Sequence, residues 1–259
     1  MVPYYFLLPF FLCWGSFLNV LAYRLIKNQS IISPRSSCPH CQAFIAWYDN
    51  IPILSWILLG GKCRNCHQSI SLLYPCIEIF TAVVLTLLYL FIPLHYFFAY
   101  FIFFSALIVT IRSDIETMLI SRVVTLFLVP IALICSASDL LPLSLMESIS
   151  GAIFGYSFLF IINKIFKYLR NIDGIGEGDF DLLLFIGSFT GIIGCWISIT
   201  IGSILGSLYG LSFLFFADQN KNFENSLKNS KIPFGPFLAL GALIFTFTQK
   251  QIFYYLINS

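Results

Sequence analysis

Apolar runs broken by short polar segments dominate the chain, at residues 4–23, 76–93, 96–111, 123–137, 148–166, 180–193, 196–216 and 233–249. A bilayer span needs roughly 20 mostly apolar residues, and in lipid a helix satisfies its own backbone hydrogen bonds. The pattern predicts an all-α polytopic membrane protein with about eight transmembrane helices. The stretch 180–216 is too long for one span, so a break is expected near Gly194-Cys195-Trp196. Residues 28–75 are the only long polar stretch. They divide the chain into a first helix (1–27), a polar insertion (28–75) and a seven-helix membrane domain (76–259).

Charge sets an expected orientation. With an outside N-terminus and alternating spans, 13 of the 14 Lys and Arg residues fall inside, and only Lys250 falls outside. The outside turn 138–147 holds Asp139 and Glu147 and no basic residue. The positive-inside rule then places the insertion on the cytoplasmic side and both termini outside. Arg24 and Lys27 follow the first apolar run, the wrong order for a cleaved secretory signal. Composition narrows the class further: 59% of residues are hydrophobic and 10% charged, against about 25% charged in soluble domains. An ordinary soluble enzyme and a disordered chain are both excluded. A net charge of +2 gives no argument for a nucleic-acid partner; the lipid bilayer is the partner the pattern demands.

The insertion carries Cys38-Pro39-His40-Cys41 and Cys63-Arg64-Asn65-Cys66. Two Cys-x-x-Cys pairs at this separation resemble a zinc ribbon. Zn²⁺ accepts four thiolates in a tetrahedron, and a closed shell of Cys38, Cys41, Cys63 and Cys66 makes the ion structural. The alternatives are two disulfides, which a reducing cytoplasm disfavours, and replacement of one ligand by His40 or His67. Cys13, Cys76, Cys135 and Cys195 lie in or beside apolar runs, where packing explains them.

Acids at the edges of spans are the other candidate chemistry. The inner-side set includes Glu78, Asp114, Glu116, Asp173, Glu177, Asp179 and Asp181. Asp114 closes the third span; Asp179 opens the sixth, after Gly174, Gly176 and Gly178. Both fall at the expected cytoplasmic edge. Two carboxylates in one site need not both ionise, so one acts as base and the other as acid, an arrangement suited to peptide hydrolysis. The glycines allow close approach to a substrate strand. The alternative is solvated loop charges paired with Arg112 or Arg170. The glycine series lacks the strand and Lys-Ser/Thr ending of a phosphate loop. Ser198, Gly202, Gly206 and Gly210 recur every fourth residue, a spacing for close helix packing.

Taken in order, several segments resemble the type IV prepilin peptidases, bacterial inner-membrane leader peptidases and N-methyltransferases. They are Gly15-Ser16-Phe17-Leu18-Asn19-Val20, Ser37 to Cys41, Trp47 to Trp56, Gly61 to Cys66, Tyr74-Pro75 with Glu78, Gly176-Glu177-Gly178-Asp179-Phe180, and Ile232-Pro233-Phe234-Gly235-Pro236. The resemblance implies an aspartic endopeptidase with Asp114 and Asp179 catalytic. It implies cleavage of the short basic leader of prepilins or pseudopilins after a Gly, on the cytoplasmic side. It also implies methylation of the new N-terminus from S-adenosylmethionine, associated with the insertion. Some positions depart from the family pattern. Ile120-Ser121-Arg122 stands where Leu-Pro-Asp is expected, Asp181 where a Lys is expected, and Leu73 where an Arg is frequent. The first two departures form a reciprocal charge swap, which predicts an ion pair between Arg122 and Asp181. With Gly176 and Gly178 these residues are expected to position the substrate or the catalytic segments. A zinc-ribbon membrane scaffold that has lost catalysis, and an intramembrane aspartic protease with another substrate, fit the same features.

Overall fold

The computed structural model describes residues 3–33, 35–171, 174–217 and 233–258. Asp173, the connector 218–231 and Ile232 lie outside the described residues. The described chain is all-α: α1 (Tyr4–Ile26), a 3-10 turn (Trp47–Asn50), α2 (Leu54–Leu58), α3 (Leu73–Phe91), α4 (Leu94–Thr117), α5 (Arg122–Ala137), α6 (Leu145–Arg170), α7 (Glu177–Ala217) and α8 (Gly235–Asn258). Among the described residues the only β pairing is two isolated bridges, Ser37 with Phe44 and Lys62 with Ser69. Five described helices are long and apolar enough to cross a membrane; α5 and the stretch Gly235–Gln249 are apolar but shorter. The polytopic all-α class therefore stands, with five described helices, α7 counted as one, meeting the length and composition of a span.

The long α7 is two helices. Gly191 has φ 71° and ψ −173°, a backbone region open essentially to glycine alone. The Cys195 thiol lies 3.6 Å from the Leu183 carbonyl oxygen. In a continuous helix those residues would be about 18 Å apart along the axis. The chain therefore folds back at Gly191, three residues before the break expected at Gly194. Cys195 and Cys135 are buried, as packing residues should be; Cys13 and Cys76 are exposed instead.

The chain forms two compact units, Met1–Arg112 and Ser113–Ser259. In the first, α1 and α3 pack closely because Gly15 has no side chain: a Cβ there would lie 2.9 Å from the Glu78 Cα. Asn19 donates to the Tyr74 carbonyl (3.1 Å) and accepts from Arg112 Nε (3.0 Å). Trp14 Nε1 donates to Ser105 Oγ at 2.9 Å. These buried polar links fix the register of α1 against its neighbours.

In the second unit, α6 meets α7 backbone to backbone. A Cβ on Gly151 would collide with the Gly187 carbonyl, and one on Gly155 with the Leu183 carbonyl. The small-residue stripe of α7 faces α8: Gly241 packs on Ser198, Gly202 beneath Leu238, and Gly206 beneath Phe237. Close packing within the chain is thus its role, and it holds the start of α8, where Gly235 lies.

Candidate functional site

The four insertion cysteines converge. Their sulfurs all lie within 4.8 Å of one another. Each pair sits on the same local fold. Gln42 N–H donates to Cys38 O and Cys38 N–H to Ala43 O; His67 N–H donates to Cys63 O and Cys63 N–H to Gln68 O. Each knuckle turns through one positive-φ residue after its second cysteine, Gln42 (58°) and His67 (56°). The Cys38 and Cys66 sulfurs are 3.8 Å apart. That is close to the edge of a tetrahedron with ~2.3 Å metal–sulfur bonds, and far beyond the ~2.05 Å of a disulfide. All four cysteines are free, and His40 and His67 are not part of the cluster. The Ala43 N–H and the Asn65 amide hold the Cys41 thiol down to about 6. The Gln68 N–H likewise lowers Cys66, yet burial and the neighbouring thiols push it up to about 11. Four sulfurs this close cannot all be thiolates without a cation between them. The cluster could therefore hold a metal ion.

Beside the cluster, Arg64 clasps Asp49 in a bidentate pair of 2.8 and 2.6 Å. The guanidinium holds the Asp49 carboxyl below its usual range. The contact ties the 3-10 turn to the second knuckle.

The second constellation is built wholly within the unit Ser113–Ser259. Asp114 lies in the last turn of α4 and is 5% exposed. Its Oδ2 accepts a 3.0 Å hydrogen bond from Gly235 N–H, at the first residue of α8. A Cβ on Gly235 would stand 2.8 Å from that oxygen, so the glycine is what admits the contact. Asp179 lies in the first turn of α7. Its carboxylate accepts from the Gly176 backbone and lies close enough to Asp114 for the two charges to interact. A Cβ on Gly178 would be 2.9 Å from the Ile120 Cβ, so this glycine lets the loop approach the start of α5.

Arg122 opens α5 and donates from Nε to Asp181 Oδ2 at 3.0 Å. It also pairs with Glu177. The ion pair inferred from the reciprocal charge swap is present, and it has a third member. Glu177 and Asp181 flank Asp179 on the first turns of α7, so Arg122 clamps the turn that carries the acid.

Sequence reasoning missed Asn163 and gave Gly235 no role of its own. Asn163 Oδ1, on α6, accepts from the backbone N–H groups of Gly174 (3.0 Å) and Ile175 (3.1 Å), pinning the glycine loop ahead of Asp179. Its signal was a polar amide inside the apolar run 148–166. Gly235 contributes through its backbone alone, so no side-chain chemistry could have announced it.

Helices long and apolar enough to cross a membrane, a four-cysteine knuckle cluster that could hold a metal ion and a pair of neighbouring acids together define a polytopic membrane protein. Residues 10–92 match the family model described as the bacterial peptidase A24 N-terminal domain, and residues 101–211 that of the type IV leader peptidase family. A relative from Pectobacterium carotovorum, named prepilin leader peptidase/N-methyltransferase, is 34% identical over 252 residues, covering 88% of this chain and 87% of the relative. One of the same name from Pseudomonas aeruginosa is 30% identical over 266 residues, covering 92% and 88%. A third, from Escherichia coli O78:H11, is 29% identical and named a type 4 prepilin-like proteins leader peptide-processing enzyme. No solved structure matches the chain. The chain belongs to the type IV leader peptidase family, and it is an enzyme of that family.

Proposed function

We propose that this protein removes the short basic leader of type IV prepilins or pseudopilins, with Asp114 and Asp179 as the catalytic pair, at the cytoplasmic face of a bacterial inner membrane. The observation that carries the reading is the meeting of these two carboxylates from α4 and α7 in one site. A pair of like charges holds one proton between them, so one carboxylate draws a proton from water while the other donates to the scissile carbonyl. The Gly235 N–H fixes one oxygen of Asp114, and the Arg122 clamp and Asn163 fix the turn bearing Asp179. Gly176 leaves room beside the acid for an extended substrate backbone, while Gly178 lets the turn pack against Ile120. The charge swap at Arg122 and Asp181 keeps the pairing of the two segments, which supports retained catalysis over a scaffold.

The metal of the insertion is zinc in this reading, held by Cys38, Cys41, Cys63 and Cys66. A closed shell of four thiolates offers it no position for substrate, so it organises the fold of the insertion. Methylation of the new N-terminus, with S-adenosylmethionine as methyl donor, rests on the names of the relatives.

The test is cleavage of a prepilin in membranes by the wild type, Asp114→Asn and Asp179→Asn, with mass spectrometry of the product N-terminus. Each variant is expected to lose roughly 10²–10⁴-fold in cleavage rate, the scale of a general acid or base. Full activity in either variant would remove the dyad. An added methyl group on the wild-type product would establish the second activity.

A further inference from the structure

We propose that α2 is a re-entrant helix, immersed in the lipid of the leaflet on the insertion's side, rather than part of a water-exposed loop. Depth in the bilayer is set along α1. Its apolar run ends at Tyr23, and Arg24 turns back to the carbonyls of Ser30 (3.0 Å) and Ile31 (2.7 Å), marking the polar rim. Gly15, two turns further in, sits about 12 Å below Tyr23 on the axis. It is also level with Glu78, since a Cβ there would touch the Glu78 Cα at 2.9 Å. The bond from Asn19 to the Tyr74 carbonyl confirms that register one turn closer to the rim.

Glu78 then reaches out of the helix pair. Its Oε2 accepts from the Ile53 N–H at 2.8 Å. Ile53 is the residue before α2, held at φ 62°. The insertion is thereby tied to a level well inside the apolar slab defined by α1. Irregular backbone at such a level must have its polar groups satisfied by protein, and it does. Glu78 takes Ile53 N–H; the N–H groups of Leu54, Ser55 and Ile57 go to the carbonyls of Pro52, Ile51 and Ile53. The Ser55 hydroxyl donates to the Ile51 carbonyl as well.

The side chains divide in the same sense. Trp56 folds inward onto Gly61 and donates to the Ile70 carbonyl at 3.2 Å. Leu54, Ile57 and Leu58, at helical spacing on one face, point outward and are 60%, 62% and 85% exposed. Three large aliphatic side chains on so short a helix make an unfavourable water-facing surface, but at acyl-chain depth they are at home. Trp47 and Tyr48, exposed on the preceding turn, are the residue types that favour the headgroup level. The occupant of this face is therefore lipid, continuous with the lipid around α1 and α3.

The experiment uses the full chain in nanodiscs of phosphatidylethanolamine and phosphatidylglycerol. A benzophenone amino acid is placed singly at Leu58, at Phe127 on the apolar face of α5, or at Gln68 on the second knuckle. After irradiation, adducts are identified by mass spectrometry. Lipid adducts at Leu58 comparable with those at Phe127, and none at Gln68, are expected. Glu78→Ala, which releases Ile53, is expected to lower the Leu58 yield several-fold while leaving Phe127 unchanged. Lipid adducts at Phe127 but not at Leu58 would overturn the proposal. So would crosslinks from Leu58 to a second copy or to an added prepilin in place of lipid. The result is independent of cleavage activity, so failure of the dyad would leave this test standing.

Discussion

The cysteine cluster and the aspartate pair solve the same problem, gathering functional groups, in opposite ways. The cluster draws on residues 38 to 66, and each knuckle is closed by hydrogen bonds between residues no more than five apart. The aspartate site draws on the ends of α4, α5, α7 and α8, and its bond from Gly235 to Asp114 bridges 121 residues. Locally built chemistry is robust to the packing of helices around it. Chemistry built from helix ends is only as good as that packing. This contrast implies that the two sites fail independently and by different causes.

The largest effect that sharpens the contrast is on metal content. Cys38→Ser with Cys63→Ser removes one ligand from each knuckle. Metal bound per chain, measured on purified protein by elemental analysis, is expected to fall from about one ion to none, because binding energy of a four-thiolate site is also folding energy. Limited proteolysis is expected to open the insertion while fragments of Ser113–Ser259 persist. Asp114→Asn and Asp179→Asn are expected to keep full metal content. Loss of metal in an aspartate variant would break the claim of independence.

The next effect runs through helix packing. Gly187→Ala places a Cβ against the Gly151 carbonyl, where neither backbone can yield without parting α6 from α7. Overpacking of this kind costs about 1–3 kcal/mol. The melting temperature is expected to drop by several degrees, and cleavage activity to fall with it, while metal content stays constant. An unchanged melting temperature would mean that α6 and α7 are not locked through their glycines.

The same contrast explains what could be read in advance. The cysteine cluster was legible because ligand spacing is itself the chemistry, and the knuckle turns are set by a handful of adjacent residues. The helical class was legible from apolar runs long enough for lipid. The position of the fold-back in α7 was not: Gly191 and Gly194 are equal as letters, and only packing against α6 decides which one takes φ 71°. The shared edge made a pairing of Asp114 with Asp179 possible and the resemblance singled it out, because hydropathy gives each span an edge but no neighbours. The Arg122–Asp181 pair was readable because two departures in charge compensated one another. Asn163 was hidden because its partners are backbone groups, which leave no trace in side-chain identity.

The smallest effect tests whether the charge clamp matters for position rather than stability. Arg122 is 59% exposed and Glu177 77%, whereas the Asp181 carboxylate is only 8% exposed. Arg122 is open to solvent, which limits the cost of its removal, but the loss leaves the largely buried Asp181 carboxylate without its cation, so Arg122→Ala is expected to lower the melting temperature only slightly. If the clamp orients the turn bearing Asp179, kcat falls several-fold with KM unchanged, well short of the roughly 100-fold that an ångström of misplacement can cost. Reversing one charge, Asp181→Lys, sets two cations against each other across the segments and is expected to cost more than Arg122→Ala. Adding Arg122→Asp restores an attractive pair and part of the lost rate. Recovery stays incomplete because Glu177 then faces a second carboxylate where the guanidinium stood; Glu177→Gln in the same background is expected to raise it further. A melting temperature that tracks these rates variant by variant would make the clamp a stability element and dissolve its distinction from the packing glycines.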